Sequence, residues 1–464
     1  MSERSERTSS TNGVLVGVDA GSTRIKAVVV DVAGHELSAA DEATPWTVTG
    51  AAIEMDPGTL ADTVRRVITT ALTRADHGDD SRHRVVGVGV TGVGESGVLL
   101  DRDGTPMGPI IAWYDQRGEV ARVERALPEL PARTGIPFNP TASIFKLAAL
   151  LPERRATRWL NVPEWIVLAL GGDQFAEISL AGRTGLLDLH TGDWWSDALD
   201  LLGVGEDLLP GSARVGTEGA GRAAFGPIAG AHLVVAGHDH QVAAFVTGAT
   251  EPGCLFESLG TADALTFVVP LPVSADVVAA LTADGITVGR TVVAGRAMAI
   301  AGLRTGHLLD RIARIVGIDR DGDRLGARAA RHALSERAAR RPADPHVSVS
   351  LADGLVSIAG IGPSTDAADL WAAAVAAADG RVAAVTAAFE RLLGPAQRTV
   401  LGGGWLNDPT VAAATGRRFP GADRSPFGEP GAVGAAAMAG IRAGVIDGPF
   451  TANDAVAQPS EVLG

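Results

Sequence analysis

The chain has 464 residues, more than one compact core usually holds, so two or three domains are expected. Hydrophobic residues make up 46% and charged residues 20%, ordinary globular values that argue against disorder outside the two ends. The formal net charge of -14 argues against a surface for nucleic acid or anionic membrane, where clustered Lys and Arg supply the affinity.

Cys254 is the only cysteine, which rules out an intramolecular disulfide framework and suits a reducing cytoplasm, the expected location. No apolar run approaches the roughly 18 residues needed to span a membrane. The opening "MSERSERTSSTNG" is polar, has no signal-peptide core, and reads as a disordered tail over residues 1–12.

The first ordered element is the β-branched run "VLVGVD", residues 14–19, followed by the turn "AGST" and a second strand, "RIKAVVVD", residues 24–31. The Rossmann fingerprint and the P-loop both need a helix directly after their glycine turn, so neither is present. A glycine turn between antiparallel strands can still cradle phosphate through backbone N–H groups and the hydroxyls of Ser22 and Thr23. A plain hairpin gives the same pattern.

Next comes "VVGVGVTGVGESGVLLDRDGTPMGPIIAW", strand segments joined by a glycine-rich connection and a "DRDG" turn, as in a mixed α/β domain. From "SIFKLAALL" to "WLNVPEWIVLALGG" the apolar spacing is helical, with Pro163 in a first turn and Trp165, Val167 and Leu168 assigned to a core.

The stretch "AGHDHQVAAF", residues 236–245, sets two histidines on either side of an aspartate: a metal site, a catalytic base or a polar turn. In an extended segment neighbours point to opposite faces, so His238 and His240 are expected to diverge from Asp239. One cysteine and ten scattered histidines add no ligand pattern for a transition metal.

A second strand-rich block starts near "GCLFESLGTADALTFVV", and long Ala-rich helices follow, with Val382, Val385, Phe389 and Leu392 giving one apolar face. The Arg-rich "DRDGDRLGARAARHALSERAARRPADP" interleaves acids with bases and reads as a solvated helical face. The chain then delivers another strand and glycine turn, "RTVLGGGWLND", and a small-residue helix, "GEPGAVGAAAMAGIRAG". A strand pair with a phosphate-type turn opens both halves, which suggests two related domains facing a nucleotide.

These segments, in this order, resemble the FGGY family of carbohydrate kinases. "GVDAGSTRIKAVVVD" is similar to the first phosphate motif, "GPIIAWYDQRG" to the Trp-x-Asp-x-Arg element, and "GHDHQVAAFVTGA" to the catalytic turn; "SLGTADAL" resembles the second phosphate motif and "LGGGWLND" the adenosine motif. The resemblance implies an α/β protein of two ribonuclease-H-like (actin-like ATPase) domains, mixed sheets flanked by helices, with a cleft that closes on sugar and Mg-ATP. The expected boundaries are 13–248 for the substrate and catalytic domain, 249–446 for the ATP domain and 447–464 for a tail.

The same resemblance assigns roles. Asp239 is the catalytic base that takes the proton of the attacking hydroxyl. Glu95, Asp115 and His240 contact the substrate, and His238 is scaffold. Gly21, Ser22 and Thr23, with Gly260 and Thr261, hold ATP phosphates, while Gly402 and Gly403 let adenosine lie close to backbone. Asp19 holds magnesium, through water. Lys26 is left out because its stem can carry the ammonium to solvent, and Asp115 can equally be a structural partner of Arg117.

Three departures stand out. Gly94 occupies the place of an arginine that glycerol kinases use on their substrate, and the Met-His-Gly of xylulokinases is absent. Trp405 stands where the family usually has a small residue; an indole there is compatible with stacking on the base, and a blocked adenine pocket is the alternative. The implied reaction is phosphorylation of a sugar, sugar acid or polyol (xylulose, gluconate and fuculose-like candidates) by ATP with Mg2+. The implied partners are that carbohydrate and ATP, with no nucleic acid and no membrane, and a homodimer is admissible. An inactive sugar-binding protein on the same fold and an actin-like ATPase without a sugar substrate are the competing readings.

Overall fold

The structure, a computed structural model, describes residues 13–76, 83–153, 156–260, 263–318, 324–340, 344–352 and 355–450. Thr261 lies outside the described residues, as do the expected tail 1–12 and most of the expected C-terminal tail.

The chain forms two compact units, and neither is continuous. The first comprises the chain up to Thr250, Val269–Ala299 and the segment from Glu429; the second comprises Glu251–Val268 and Ile300–Gly428. The expected division at 248/249 falls beside the first crossing, but the expectation that 249–446 forms one domain is corrected. The reason lies in the last helix, Pro430–Ala443, "PGAVGAAAMAGIRA".

This helix packs on the sheet of the first unit because both surfaces are stripped of side chains. A Cβ at Gly17 would collide with the Ala432 carbonyl, one at Gly89 with the Ala435 carbonyl, and one at Gly87 would lie 2.9 Å from the Ala439 oxygen. Glycine is therefore a packing requirement at these strand positions. Phe450, expected in a tail, is buried and seats against Gly34, where an added Cβ would approach its ring to 2.7 Å.

The five-stranded sheet of the first unit has the order His232–His238, Arg84–Gly92, Gly13–Ala20, Arg24–Asp31, Glu36–Ala43. The first strand runs antiparallel to Arg24–Asp31 and parallel to Arg84–Gly92, which is parallel to His232–His238. "VLVGV" is apolar without alternation because its strand is central and covered on both faces. Helix Pro57–Asp76 lies on the Arg24–Asp31 and Glu36–Ala43 strands, burying Leu60, Val64, Val67 and Ile68 at helical spacing. Helix Val162–Ala169 starts at a capping box of Asn161 and Glu164 with Pro163 in its first turn. Trp165 and Val167 are buried there, and Leu168 is partly buried.

In the second unit, Cys254–Ser258 pairs antiparallel with Ala264–Pro270 and parallel with Arg398–Gly402, which pairs in parallel with Asp423–Arg424. The antiparallel pair repeats the hairpin that opens the first unit, as the sequence suggests. Helix Ala367–Leu393 is capped by Asp366, whose side chain accepts from the Ala368 and Asp369 N–H groups. By length and composition it is apolar enough to cross a membrane, with a mean hydropathy of 1.4 over its most apolar window, which corrects the expectation of no such run. Its Trp371 and Phe389 are wholly buried in the core of this unit, a sufficient reason for the apolar face. Val382 of the same helix is buried, and Val385 and Leu392 are half-buried. Helix Arg324–Ala339 turns Leu334 and Ala338 inward and leaves Arg337 exposed, as expected of a solvated face.

Candidate active site

The first strand ends at Asp19 and Ala20, beside the end of the parallel strand Arg84–Gly92. Chain direction thus carries Asp19, the turn at Gly21 and the segment at Glu95 to one edge of the sheet, where ligands of open α/β sheets bind. The Asp19 carboxyl is raised to about 7 by burial and by the nearby Asp239 carboxylate, against the Lys26 ammonium. Its Oδ1 is buried and has no hydrogen-bond partner among the described residues. An added Cβ at Gly431 would lie 2.9 Å from Asp19 Oδ2, so the start of the last helix also needs glycine there.

Lys26 does not run to solvent. Its Nζ is 2.5 Å from Glu429 Oε2, and the pair flanks Asp19. The phosphate-type turn is tied down from outside: Thr44 Oγ1 donates to the Gly21 carbonyl (2.8 Å), Trp46 Nε1 to the Ser22 carbonyl (2.7 Å) and Trp113 Nε1 to Ser22 Oγ (2.8 Å). As an acceptor in that bond, the Ser22 hydroxyl keeps its own proton to donate. Thr23 is exposed.

Strand His232–His238 ends where helix Asp239–Val246 begins, with Gly237 at φ 123° just before the junction. The expectation that His238 and His240 diverge from Asp239 is therefore corrected: the segment changes from strand to helix at His238, so strand alternation does not apply. His238 Nε2 is 3.6 Å and His240 Nε2 3.9 Å from Asp239 Oδ1, with the two rings 5.5 Å apart. The His240 N–H donates to Asp239 Oδ1 (2.7 Å). Burial lowers His238 well below the ordinary imidazole value and His240 to about 4, so both rings are neutral at pH 7. Burial raises Asp239 to about 7; the His240 N–H opposes this, Glu95 adds to it and Arg183 opposes it.

The turn is braced from behind. Ser179 Oγ accepts from the His238 N–H (3.0 Å) and donates to Glu177 Oε2 (2.5 Å), and Thr91 Oγ1 donates to the Gly237 carbonyl (2.7 Å). Glu177 is fully buried, and burial raises it to about 8.

Glu95 has φ 59°, a left-handed backbone that a non-glycine residue adopts at a cost of about 1 kcal/mol or more. Its Oε1 accepts from Arg183 Nε (2.6 Å) and is ion-paired to Nη2, while Arg183 Nη1 donates to Thr287 Oγ1. Arg183 was not legible as a site residue, since nothing near Glu95 in sequence announces a partner 88 residues away.

Asp115 is a corner. Its carboxylate accepts from the Ile53 N–H (2.9 Å), the Arg117 N–H (2.9 Å) and the Arg117 guanidinium (Nη2 at 2.7 Å), and Arg117 holds it below the usual carboxylate range despite burial. The pairing with Arg117, one of the two readings the sequence admits, is present. Lys146 completes that corner by donating to the carbonyls of Trp113 (3.0 Å), Pro140 (3.0 Å) and Thr141 (2.6 Å).

In the second unit the two glycine turns leave adjacent parallel strands, with Ser258 opposite Gly402. The Leu259 N–H donates to the Gly402 carbonyl (2.7 Å), and Gly403, at φ 107°, abuts the Leu259 backbone, so only glycine fits. Gly260 has open space around it. Trp405 is buried, tilted against Trp371 at 6.1 Å, with the Arg331 guanidinium over its ring at 4.5 Å, and it lines a cavity together with Leu259, Asp263 and Thr305. The ring is also part of the core of this unit.

Asp19 and Asp239 thus bring two carboxyls of raised pKa close together in the first unit, and similarity to known proteins identifies the family. Residues 14–246 match the N-terminal domain of the FGGY family of carbohydrate kinases, and the chain belongs to that family. The chain is 28% identical over 271 residues to a glycerol kinase of Gloeobacter violaceus, covering 54% of this chain and 52% of the relative. It is 30% identical over 292 residues to an apulose kinase of Pectobacterium atrosepticum, covering 56% and 55%. The chain spans about half the length of the curated relatives it matches. Among solved structures, a ligand-bound xylulose kinase of Lactobacillus acidophilus superposes with a TM-score of 0.78 at 17% identity, covering 95% of this chain and 91% of that one. A Plasmodium falciparum glycerol kinase with ADP gives 0.77 at 15% identity, covering 95% and 91%. These likenesses show the actin-like ATPase fold with mixed sheets and flanking helices.

Proposed function

We propose that the protein transfers the γ-phosphoryl group of ATP to a hydroxyl of a small carbohydrate, with Asp239 as general base. The observation that carries this reading is the junction at His238 and Asp239: a half-buried carboxylate raised to about 7, with two neutral imidazoles within 3.9 Å of its Oδ1 and Glu95 nearby. A base poised near the operating pH is what abstraction of a hydroxyl proton needs. As the hydroxyl oxygen bonds to the γ-phosphorus, the bond from that phosphorus to the bridging oxygen breaks, ADP leaves with the electron pair, and the proton passes to Asp239 Oδ.

Glu95 receives a substrate hydroxyl through Oε2, because Oε1 is held by Arg183. His240, held close to Asp239, is a second hydroxyl partner. The turn at Gly21, Ser22 and Thr23 offers donors to phosphate oxygens, and Gly260, with Gly402 and Gly403, serves the nucleotide in the second unit. The buried, unpartnered Asp19 Oδ1 fits a hard divalent cation, bound directly or through water. Magnesium held there would neutralise charge on the phosphates.

The relatives named glycerol kinase, gluconokinase and apulose kinase define the acceptors to try first. A coupled ADP-release screen over glycerol, D-gluconate, apulose and D-xylulose tests the reading. ADP release that needs one of these acceptors supports it; equal release with and without every acceptor counts against it.

A further inference from the structure

Gly94 has no side chain, and the aliphatic stem of an arginine lies over it. Arg183, after the short helix Ile178–Ala181, reaches over Gly94: a Cβ at that glycine would lie 3.0 Å from Arg183 Cγ and 3.0 Å from His238 Cδ2. Residue 94 is small because Arg183 and His238 fill the space a side chain would take.

We infer that Arg183 is a positioning residue, which fixes Glu95 so that one carboxylate oxygen faces the acceptor and thereby sets acceptor affinity. The inference rests on the kinase reading of the same site. Two nitrogens of the guanidinium, Nε and Nη2, engage Glu95 Oε1, and Nη1 is anchored on Thr287 Oγ1. Arg183 and Glu95 are both buried, so each side chain is held in one rotamer by the other. Glu95 Oε2 makes no hydrogen bond among the described residues and is the oxygen left for a hydroxyl. The paired charge also compensates for the strained φ of Glu95, because a residue in a left-handed backbone needs its surroundings to hold it there.

Arg183 also acts on the base. The charged or titratable groups facing Asp239 and its neighbours are Asp19, Glu95, Arg183, His238 and His240, and among the causes acting on Asp239 itself, Glu95 raises it and Arg183 lowers it. With both histidines neutral, Arg183 is the cation that moderates the base, so its loss moves Asp239 upward and carries the acid limb of the pH–rate profile to higher pH.

The test is steady-state kinetics on the best acceptor of the glycerol, D-gluconate, apulose and D-xylulose panel, for Arg183→Gln, Arg183→Lys, Glu95→Gln and the double Glu95→Gln/Arg183→Gln variant. Arg183→Gln is expected to raise the acceptor KM about tenfold or more while the KM for ATP stays within about twofold, and to shift the acid limb upward. Arg183→Lys restores the acid limb but only part of the KM, since an ammonium cannot make the paired contact. In the double variant the KM is no worse than in Glu95→Gln alone, as it must be if Arg183 acts through Glu95. Multiplying KM effects, or both KM values rising together with an unmoved acid limb, overturn the inference; if Arg183→Gln does not fold, the Arg183→Lys pattern decides. Activity surviving in Asp239→Asn instead removes the kinase reading itself, which separates the two failures.

Discussion

Replacing Asp239 by Asn separates catalysis from stability, because the two are expected to move in opposite directions. The amide keeps the size of the carboxyl and can still accept the His240 N–H that now lies 2.7 Å from Oδ1, but it cannot take a proton from a hydroxyl. A general base contributes roughly two to four orders of magnitude, so kcat should fall by about 10²–10⁴, or about 3–5 kcal/mol of barrier. The folded-state value of Asp239, about 7, stands above the ordinary 3.8. A group raised in this way favours the fold below its unfolded value and loses that contribution as pH rises through 7. Removing the carboxylate should therefore leave stability unchanged near pH 4 and increase it at pH 8, by at most about 4 kcal/mol. ADP release gives the first quantity, and thermal midpoints at the two pH values give the second. A variant within about fivefold of the parent kcat, or one less stable than the parent at pH 8, would refute the reasoning.

Three further outcomes follow from the same structure. The kcat/KM profile should lose activity below an apparent value near 7, since Asp239 must be ionised to act; a plateau extending to pH 5 contradicts this. Gly89→Ala places a Cβ against the Ala435 carbonyl and should destabilise the first unit by about 1–3 kcal/mol or more in urea titration; an unchanged midpoint would dismiss the close helix–sheet packing. In the second unit, burial raises Asp263 to about 7 although Thr305 donates to it, so Asp263→Asn should raise the thermal midpoint above pH 7 and not below pH 4; the reverse order contradicts the assignment.

What the sequence makes legible is local. The strand, glycine turn and second strand around Asp19, the acid at Asp239 and the glycines at 402 and 403 each sit within a few residues of the feature that gives them meaning. Long-range partners are not legible in this way: Lys26 meets Glu429 across 403 positions, and Arg183 meets Glu95 across 88. The small-residue composition of 430–443 announces close packing, but not that the partner is the glycine-bearing face of strands several hundred residues earlier. His238 and His240 mislead because strand alternation is a valid rule applied one residue past the end of its strand. The surroundings of Trp405 are not legible either, since its position in a motif says nothing of Trp371, against which its ring is turned.

The central claim is transfer to a carbon-bound hydroxyl, and phosphorus NMR of a completed reaction tests it most directly. With ATP, magnesium and the best acceptor of the panel, the account predicts a new phosphomonoester resonance equal in amount to the ADP formed, absent for Asp239→Asn. Inorganic phosphate appearing in place of the ester, at the same rate with and without acceptor, would contradict it.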